Sequence, residues 1–228
     1  MIADNIKRQR ERIAAVCERV GRDPGEIWLL AVSKSFSGEM VREALDAGIS
    51  DVGENYVQEL LSKQKALENR NVRWHFIGHL QSNKVKSIAG WIHMIQTVDS
   101  FGLGEQIARR ALEANRTVEV LMEVNTSGEP GKFGVQPGEA PALARRLAEL
   151  PNLRLSGFMT IGPLLPDPES ARPAFRMLRE LRDSLATEGI VLPHLSMGMT
   201  NDLEIAIEEG STIVRIGTGI FGKRIRKQ

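Results

Sequence analysis

The sequence predicts an α/β fold, a single (β/α)8 barrel of the TIM type with one extra helix at its N-terminus. Eight short strand-like runs alternate with helical patterns at spacings of about 20–35 residues, and no antiparallel hairpin signal joins neighbours. The length of 228 residues fits eight such repeats near the lower end of the barrel's size range, and no linker or break in composition divides the chain. The opening run, Trp28-Leu29-Leu30-Ala31-Val32-Ser33-Lys34, reads as a strand of a buried parallel sheet. An open doubly wound sheet is the alternative. It would usually carry a glycine-rich dinucleotide loop after the first strand, and Ser33-Lys34-Ser35-Phe36 is not one.

Residues 3–20 form an amphipathic helical pattern, ended by Gly21 and the turn Arg22-Asp23-Pro24-Gly25. The first strand covers 27–33. Glu39 to Ala47 is helical, with Met40, Val41, Ala44 and Leu45 on one face and Gly48 closing it. Ile49–Gly53 is a second strand, leading through Glu54-Asn55-Tyr56 into a helix at Val57–Leu67. Val72–Ile77 alternates as a third strand and ends at Gly78-His79-Leu80-Gln81-Ser82-Asn83-Lys84. Ile92–Val98 is the fourth, and Asp99-Ser100 caps a helix running to about Asn115. Val118–Val124 is the fifth, followed by a polar loop at 125–134. A helix at Gly138–Leu150, a strand at Leu153–Phe158 and a long helix at Glu169–Thr187 come next. His194–Met197, a helix at Asp202–Glu209 and Thr212–Ile216 complete the pattern.

Apolar residues make up 42% of the chain and charged residues 26%, with a net charge of +1. That balance gives no basic field for nucleic acid or an anionic membrane. The basic run Lys223-Arg224-Ile225-Arg226-Lys227 reads as a solvated end. The single cysteine, Cys17, excludes an internal disulfide and a cysteine metal cluster, and its place in the first helix's apolar pattern makes it a core residue. No signal peptide or membrane span is expected, so the chain reads as cytoplasmic. A barrel of this size can stand as a monomer.

A lysine at the carboxyl end of the first strand sits where α/β proteins place their chemistry. Alone, Lys34 reads as a strand cap pointing to solvent. The loops after the last two strands change its setting. They read Ser196-Met197-Gly198-Met199-Thr200-Asn201, with Thr200 or Asn201 expected to cap the next helix, and Arg215-Ile216-Gly217-Thr218-Gly219-Ile220-Phe221-Gly222. Loops at this point of a barrel bind phosphate, and glycines and hydroxyls let N–H and O–H donors approach an anion. Strand one neighbours strand eight on closure, which places Lys34 beside the cup. A desolvated lysine is a nucleophilic amine, able to form a Schiff base with an aldehyde. A phosphate-bearing aldehyde next to it points to pyridoxal 5′-phosphate. A metal-free barrel binding a phosphorylated sugar or nucleotide, with Lys34 as a point charge, would use the same cup.

The segments AVSK (31–34), VGENYVQE (52–59), WHFIGHLQSNK (74–84), LSMGMTND (195–202) and VRIGTGIFG (214–222) resemble the signature segments of the pyridoxal phosphate homeostasis protein family, in its order and spacing, across residues 5–224. That family is similar to the N-terminal barrel of alanine racemase. The resemblance implies that Lys34 is the aldimine lysine and that Ser196, Gly217 and Thr218 bind the phosphate with the backbone of 196–199. It further implies that Arg215 faces the pyridine nitrogen, that Asn55 lies beside the ring, and that Met197, Gly198 and Met199 line the mouth. Two departures are Thr200, where the family's usual residue is serine, and Ser35-Phe36, where a polar or basic residue is common.

His75 reads as a packed, hydrogen-bonded histidine rather than a metal ligand. His79, Gln81, Asn83 and Lys84 are expected to hydrogen-bond the rim of the mouth. Glu54 either orients Lys34 or pairs with a surface base. Lys132 is a solvated loop lysine or a second amine for the aldehyde in transit. The Met197/Met199 pair is apolar lining, with no metal site. A racemase of the similar fold needs a tyrosine from a further domain of a partner subunit; this sequence ends at Gln228 without one, and its only tyrosine is Tyr56. An arginine at the pyridine nitrogen also weakens the cofactor as an electron sink. The expectation is a carrier that buffers or delivers pyridoxal phosphate, with cofactor-dependent apoenzymes as transient acceptors. A weak amino-acid racemase is the alternative.

Overall fold

Eight parallel strands close on themselves in chain order in the computed structural model, which describes residues 1–129, 131–163 and 165–223. The strands are β1 (Trp28–Val32), β2 (Asp51–Glu54), β3 (Arg73–Phe76), β4 (Met94–Val98), β5 (Val118–Glu123), β6 (Leu153–Met159), β7 (His194–Ser196) and β8 (Ile213–Ile216). β8 returns to β1, setting Leu30 opposite Arg215 and Ala31 opposite Ile216. Closure leaves no open strand edge. The helices are α1 (Ile2–Val20), α2 (Gly38–Asp46), α3 (Val57–Ala66), α4 (Val85–Ile88), α5 (Phe101–Glu113), α6 (Ala140–Ala148), α7 (Arg172–Ala186), α8 (Leu203–Glu208) and α9 (Thr218–Phe221).

The boundaries differ from the sequence expectation where hydrogen bonds compete. Ile49 does not open β2, because its N–H returns to Ala44 O at 3.0 Å and finishes the turn after α2. Glu169 does not open the long helix; a 3-10 turn at Pro168–Ala171 precedes α7. Ser37 and Ser100 hydroxyls accept from the Met40 and Leu103 N–H groups and start α2 and α5. The one-turn helices α4 and α9 were not expected. Of the basic C-terminal run, all but Lys223 lie outside the described residues.

Alternation along each strand splits the apolar side chains into two cores. Leu30, Val32, Ile77, Met94, Leu121, Met159 and Ile213 pack together inside the barrel, with Trp28 against them. Ala31, Val52, Val120, Phe158 and Val214 face outward into a larger core shared with the helices, where Cys17 is fully buried. Helix α1 joins that outer shell and also braces the loops after β7 and β8. Arg12 donates to Thr200 O at 2.9 Å and pairs with Glu204 at 2.8 Å, while Asn5 donates to Ile220 O at 2.9 Å.

Candidate functional site

Lys34 lies two residues past β1, in a turn rather than at the strand's last position. The residues on either side are clamped. Ser33 N–H donates to Gly53 O at 3.0 Å, and its hydroxyl donates to Glu54 Oε1 at 2.6 Å. Lys63 Nζ donates to Ser33 O at 2.7 Å and also reaches Glu54. Ser35 takes a left-handed conformation, φ 66°, and its N–H donates to Glu59 Oε2 at 2.9 Å. Glu54 therefore pairs with a buried lysine rather than a surface base, and it holds the Lys34 turn from beneath. Burial raises the Glu54 carboxyl above the usual range, against the pull of Lys63 and Ser33.

A cavity of about 460 Å3 opens at the carboxyl ends of the strands. Lys34, Asn55, Arg215, Gly217 and Thr218 all line it, as do Met199, Thr200, Asn201 and Asp202 from the loop after β7. The loops after the last two strands thus meet beside Lys34, as the sequence led us to expect. Asp202 shapes the first of them by accepting the Met199 N–H at 2.6 Å. Helix α8 starts only after Asp202, so neither Thr200 nor Asn201 caps it. Asn55 is held by a close backbone approach, since a Cβ on Gly78 would sit 2.1 Å from Asn55 O. Its Oδ1 is buried without a hydrogen-bond partner among the described residues, an acceptor left over for a ligand's donor.

Arg215 crosses the top of the barrel interior. Its Nη1 donates to Ser196 Oγ at 2.8 Å and its Nη2 to Thr160 O at 2.7 Å. Burial pulls its pKa down to about 10, with the Asp202 and Glu123 carboxylates opposing, so it remains a cation at neutral pH. Glu123, buried at the end of β5, has its carboxyl raised to about 7 by burial and by Asp99, with Arg215 opposing.

Three expected residues sit elsewhere. Ser196 is fully buried under the cavity, bonded to Arg215 and Gln96, and does not line it. Met197 faces outward into the helix-side core with Leu203 and Ala206, because the next residue after an inward-facing one points the other way. Gly198 serves packing: it has φ 92°, and a Cβ there would meet Ala206 Cβ at 2.4 Å. Thr200 and Thr218 are the hydroxyls that reach the cavity.

Among the remaining residues, His75 is packed and hydrogen-bonded as expected, between Asp51 and Gln96. His79 is at the rim but stacks on Phe133, ring centres 4.1 Å apart. Gln81 and Asn83 are exposed, Asn83 in a 3-10 turn with Lys84 and Gln81 just before it. Lys132 is tied to Glu129 Oε1 at 2.6 Å and to Gly162 O at 3.4 Å, pinning its loop to the one after β6. That second loop was missed: Ile161, Pro163 and Pro166, with Met159 at the end of β6, complete the cavity wall, and the loop's signal was three prolines within 163–168. No group of three or more acidic, histidine or cysteine side chains among the described residues could hold a metal.

The family model described as alanine racemase, N-terminal domain, matches residues 3–224. A pyridoxal phosphate homeostasis protein of Aquifex aeolicus is 48% identical over 222 residues, covering 97% of each chain. One from Pseudomonas aeruginosa is 44% identical over 98% of this chain and 96% of its own. Among solved structures, PipY of Synechococcus elongatus with PLP bound superposes with a TM-score of 0.85 at 31% identity, over 97% of this chain and all of that one. By this match in sequence and in barrel, the chain belongs to the pyridoxal phosphate homeostasis protein family, built on the fold of the alanine racemase N-terminal domain.

Proposed function

We propose that this chain binds pyridoxal 5′-phosphate in the cavity beside Lys34, attaches it covalently as a Schiff base through Lys34 Nζ, and takes part in intracellular homeostasis of the cofactor. The observation that carries the reading is convergence. One amine, one buried guanidinium, two threonine hydroxyls and an unpartnered Asn55 Oδ1 share a single cavity wall. A PLP-bound relative of the same barrel supports it.

The bound cofactor supplies an aldehyde, an electrophile for a lysine amine. The rest is work for this chain's residues. Thr200, Gly217 and Thr218 are assigned to the phosphate, with the backbone after β7 behind them. Arg215 is assigned to the pyridine nitrogen and Asn55 to the ring's edge. Met199 supplies apolar wall, and Met197 and Gly198 set the loop's shape from behind. Glu54, Glu59 and Lys63 hold the Lys34 turn still. Because Arg215 keeps its charge at neutral pH, it does not hand a proton to a ring nitrogen, which suits holding a cofactor better than driving carbanion chemistry on it. Tyr56 is 57% exposed, at the start of α3.

The reading extends to one cofactor-binding barrel over residues 1–228, acting in the cytoplasm as a monomer and passing its cargo to cofactor-dependent apoenzymes. No described helix is long and apolar enough to cross a membrane. Borohydride reduction of the loaded protein followed by peptide mass analysis is expected to place a pyridoxyl group on Lys34. Its absence there would sink the covalent reading and leave the phosphate-only barrel. Incubation with D- and L-amino acids is expected to show no turnover at ordinary enzyme rates; turnover would replace the carrier with a racemase-like enzyme.

A further inference from the structure

The barrel interior carries a hydrogen-bonded chain from the cavity to the opposite end. Arg215 Nη1 meets Ser196 Oγ at 2.8 Å, and Ser196 Oγ meets Gln96 Oε1 at 2.6 Å. Gln96 Nε2 meets His75 Nδ1 at 3.1 Å, and His75 Nε2 meets Asp51 Oδ1 at 3.0 Å. Arg73 closes the chain at the base, with Nε 2.8 Å from Asp51 Oδ1 and Nη2 on Oδ2. The members come from β8, β7, β4, β3 and β2. Ser196, Gln96 and His75 are fully buried and Asp51 nearly so.

Donor and acceptor capacity gives this chain one direction. A guanidinium only donates, so Ser196 Oγ accepts from Arg215 and spends its own hydrogen on Gln96. The amide oxygen must then face Ser196, which turns the amide NH2 toward His75. Nδ1 must accept, leaving the ring proton on Nε2 for Asp51, which only accepts when ionised. Asp51 meets that requirement: burial opposes its charge, but the hydrogen bonds from His75 and Arg73 hold its carboxyl well below the usual range. Turning over any one member would set two donors or two acceptors face to face in a water-poor interior, a costly arrangement.

A buried network of this kind can serve only to fix the packing of a barrel. Here, however, it starts at a base-face carboxylate and terminates in a guanidinium that also lines the cavity. Thr160 O takes Nη2 of the same group, so two of its edges are tied down and the remaining N–H groups are aimed by default. We propose that Asp51, His75, Gln96 and Ser196 are positioning residues that lock the direction of the Arg215 guanidinium toward the bound ligand's ring and thereby tune the electronic state of the cofactor, without touching it. This rests on the pyridoxal phosphate reading of the cavity.

The test has one arm without cofactor and one with it. In the 15N-labelled protein free of cofactor, long-range proton–nitrogen NMR should show His75 neutral with its proton on Nε2; a proton on Nδ1 would overturn the chain. In the loaded protein, Gln96→Leu and Ser196→Ala should keep the borohydride-reducible adduct on Lys34. They should shift the visible absorption spectrum and speed cofactor release about tenfold, the scale of one charge-assisted hydrogen bond. Ser196→Thr, which keeps the hydroxyl, should restore the wild-type spectrum. Variants that hold the adduct with unchanged spectrum and release would overturn the proposal while leaving the cofactor reading intact. A wild-type protein that forms no adduct on Lys34 would instead fail that reading, with the His75 tautomer still reporting on the chain. Should Gln96→Leu not fold, the tautomer and the Ser196 pair decide.

Discussion

At the base of the barrel Trp28 sits among three imidazoles, its ring centre 4.5 Å from His194, 6.3 Å from His75 and 6.4 Å from His93. Arg73 lies over the indole at 5.2 Å, and the nearby charges are paired: Arg73 with Asp51, and Arg154 with Glu119 at 2.7 Å. The mouth, made by the other ends of the same strands, is a cavity walled by a lysine turn, two threonines, an arginine and an orphaned amide oxygen. One end is filled with rings and matched charges; the other gathers polar groups around a cavity. The contrast shows how a barrel packs one end with rings and matched charges so that the other can stay open, with the chain from Asp51 to Arg215 as a link between them.

Each of four substitutions tests that contrast. Trp28→Ala should have the largest effect on folding, about 3 kcal/mol from the lost packing, read by urea denaturation. Cofactor affinity at the far end should change by less than about twofold; a larger loss would mean that packing at the base, and not only the hydrogen-bonded chain, reaches the mouth. Gly198→Ala should cross the divide. Its φ of 92° and a Cβ 2.4 Å from Ala206 make the substitution destabilising by about 2 kcal/mol and push on the loop at 199–202, so stability and cofactor binding should fall together.

Glu123 sharpens the comparison through pH. Its folded pKa of about 7 lies above the ordinary 4.5, so its stabilising contribution is complete below about pH 4.5 and is lost as the pH rises through 7. Protein free of cofactor should lose about 2 kcal/mol from this group between pH 5 and pH 8. Glu123→Gln should flatten that part of the profile; an unchanged slope in denaturation at the two pH values would contradict the assignment. The base has the opposite sign. Burial holds the His93 imidazole below its ordinary value, so its contribution fades as the pH falls below about 6.5. Thr218→Ala is the mildest change. It should weaken cofactor binding about fivefold through one lost hydrogen bond, with no shift in the denaturation midpoint.

The fold was legible because rhythm is: apolar runs at βα spacing located all eight strands, Ile49–Gly53 being displaced only by the turn that closes α2. The one-turn helices α4 and α9 have too few residues to show a period. Lys34, Gly217 and Thr218 could be brought together on paper because barrel closure makes β1 and β8 neighbours; Asn55 and the role of Arg215 came from the family resemblance alone. Facing was harder. In a strand buried on both sides the phase of alternation leaves no mark, so nothing told Ser196 inward from Met197 outward. Thr160 and Gln96 were beyond reach for another reason: their partners come from other strands, Gln96 lying 100 residues from Ser196.

The measurement that bears most directly on the central claim is the visible spectrum of the protein loaded with pyridoxal 5′-phosphate, taken for the wild type and for Lys34→Ala. The account expects an imine absorption band in the wild type that disappears in Lys34→Ala, whose cofactor, held by the remaining wall alone, washes out on dialysis. An imine band that survives in Lys34→Ala would place the covalent link on another amine and contradict the assignment of this site.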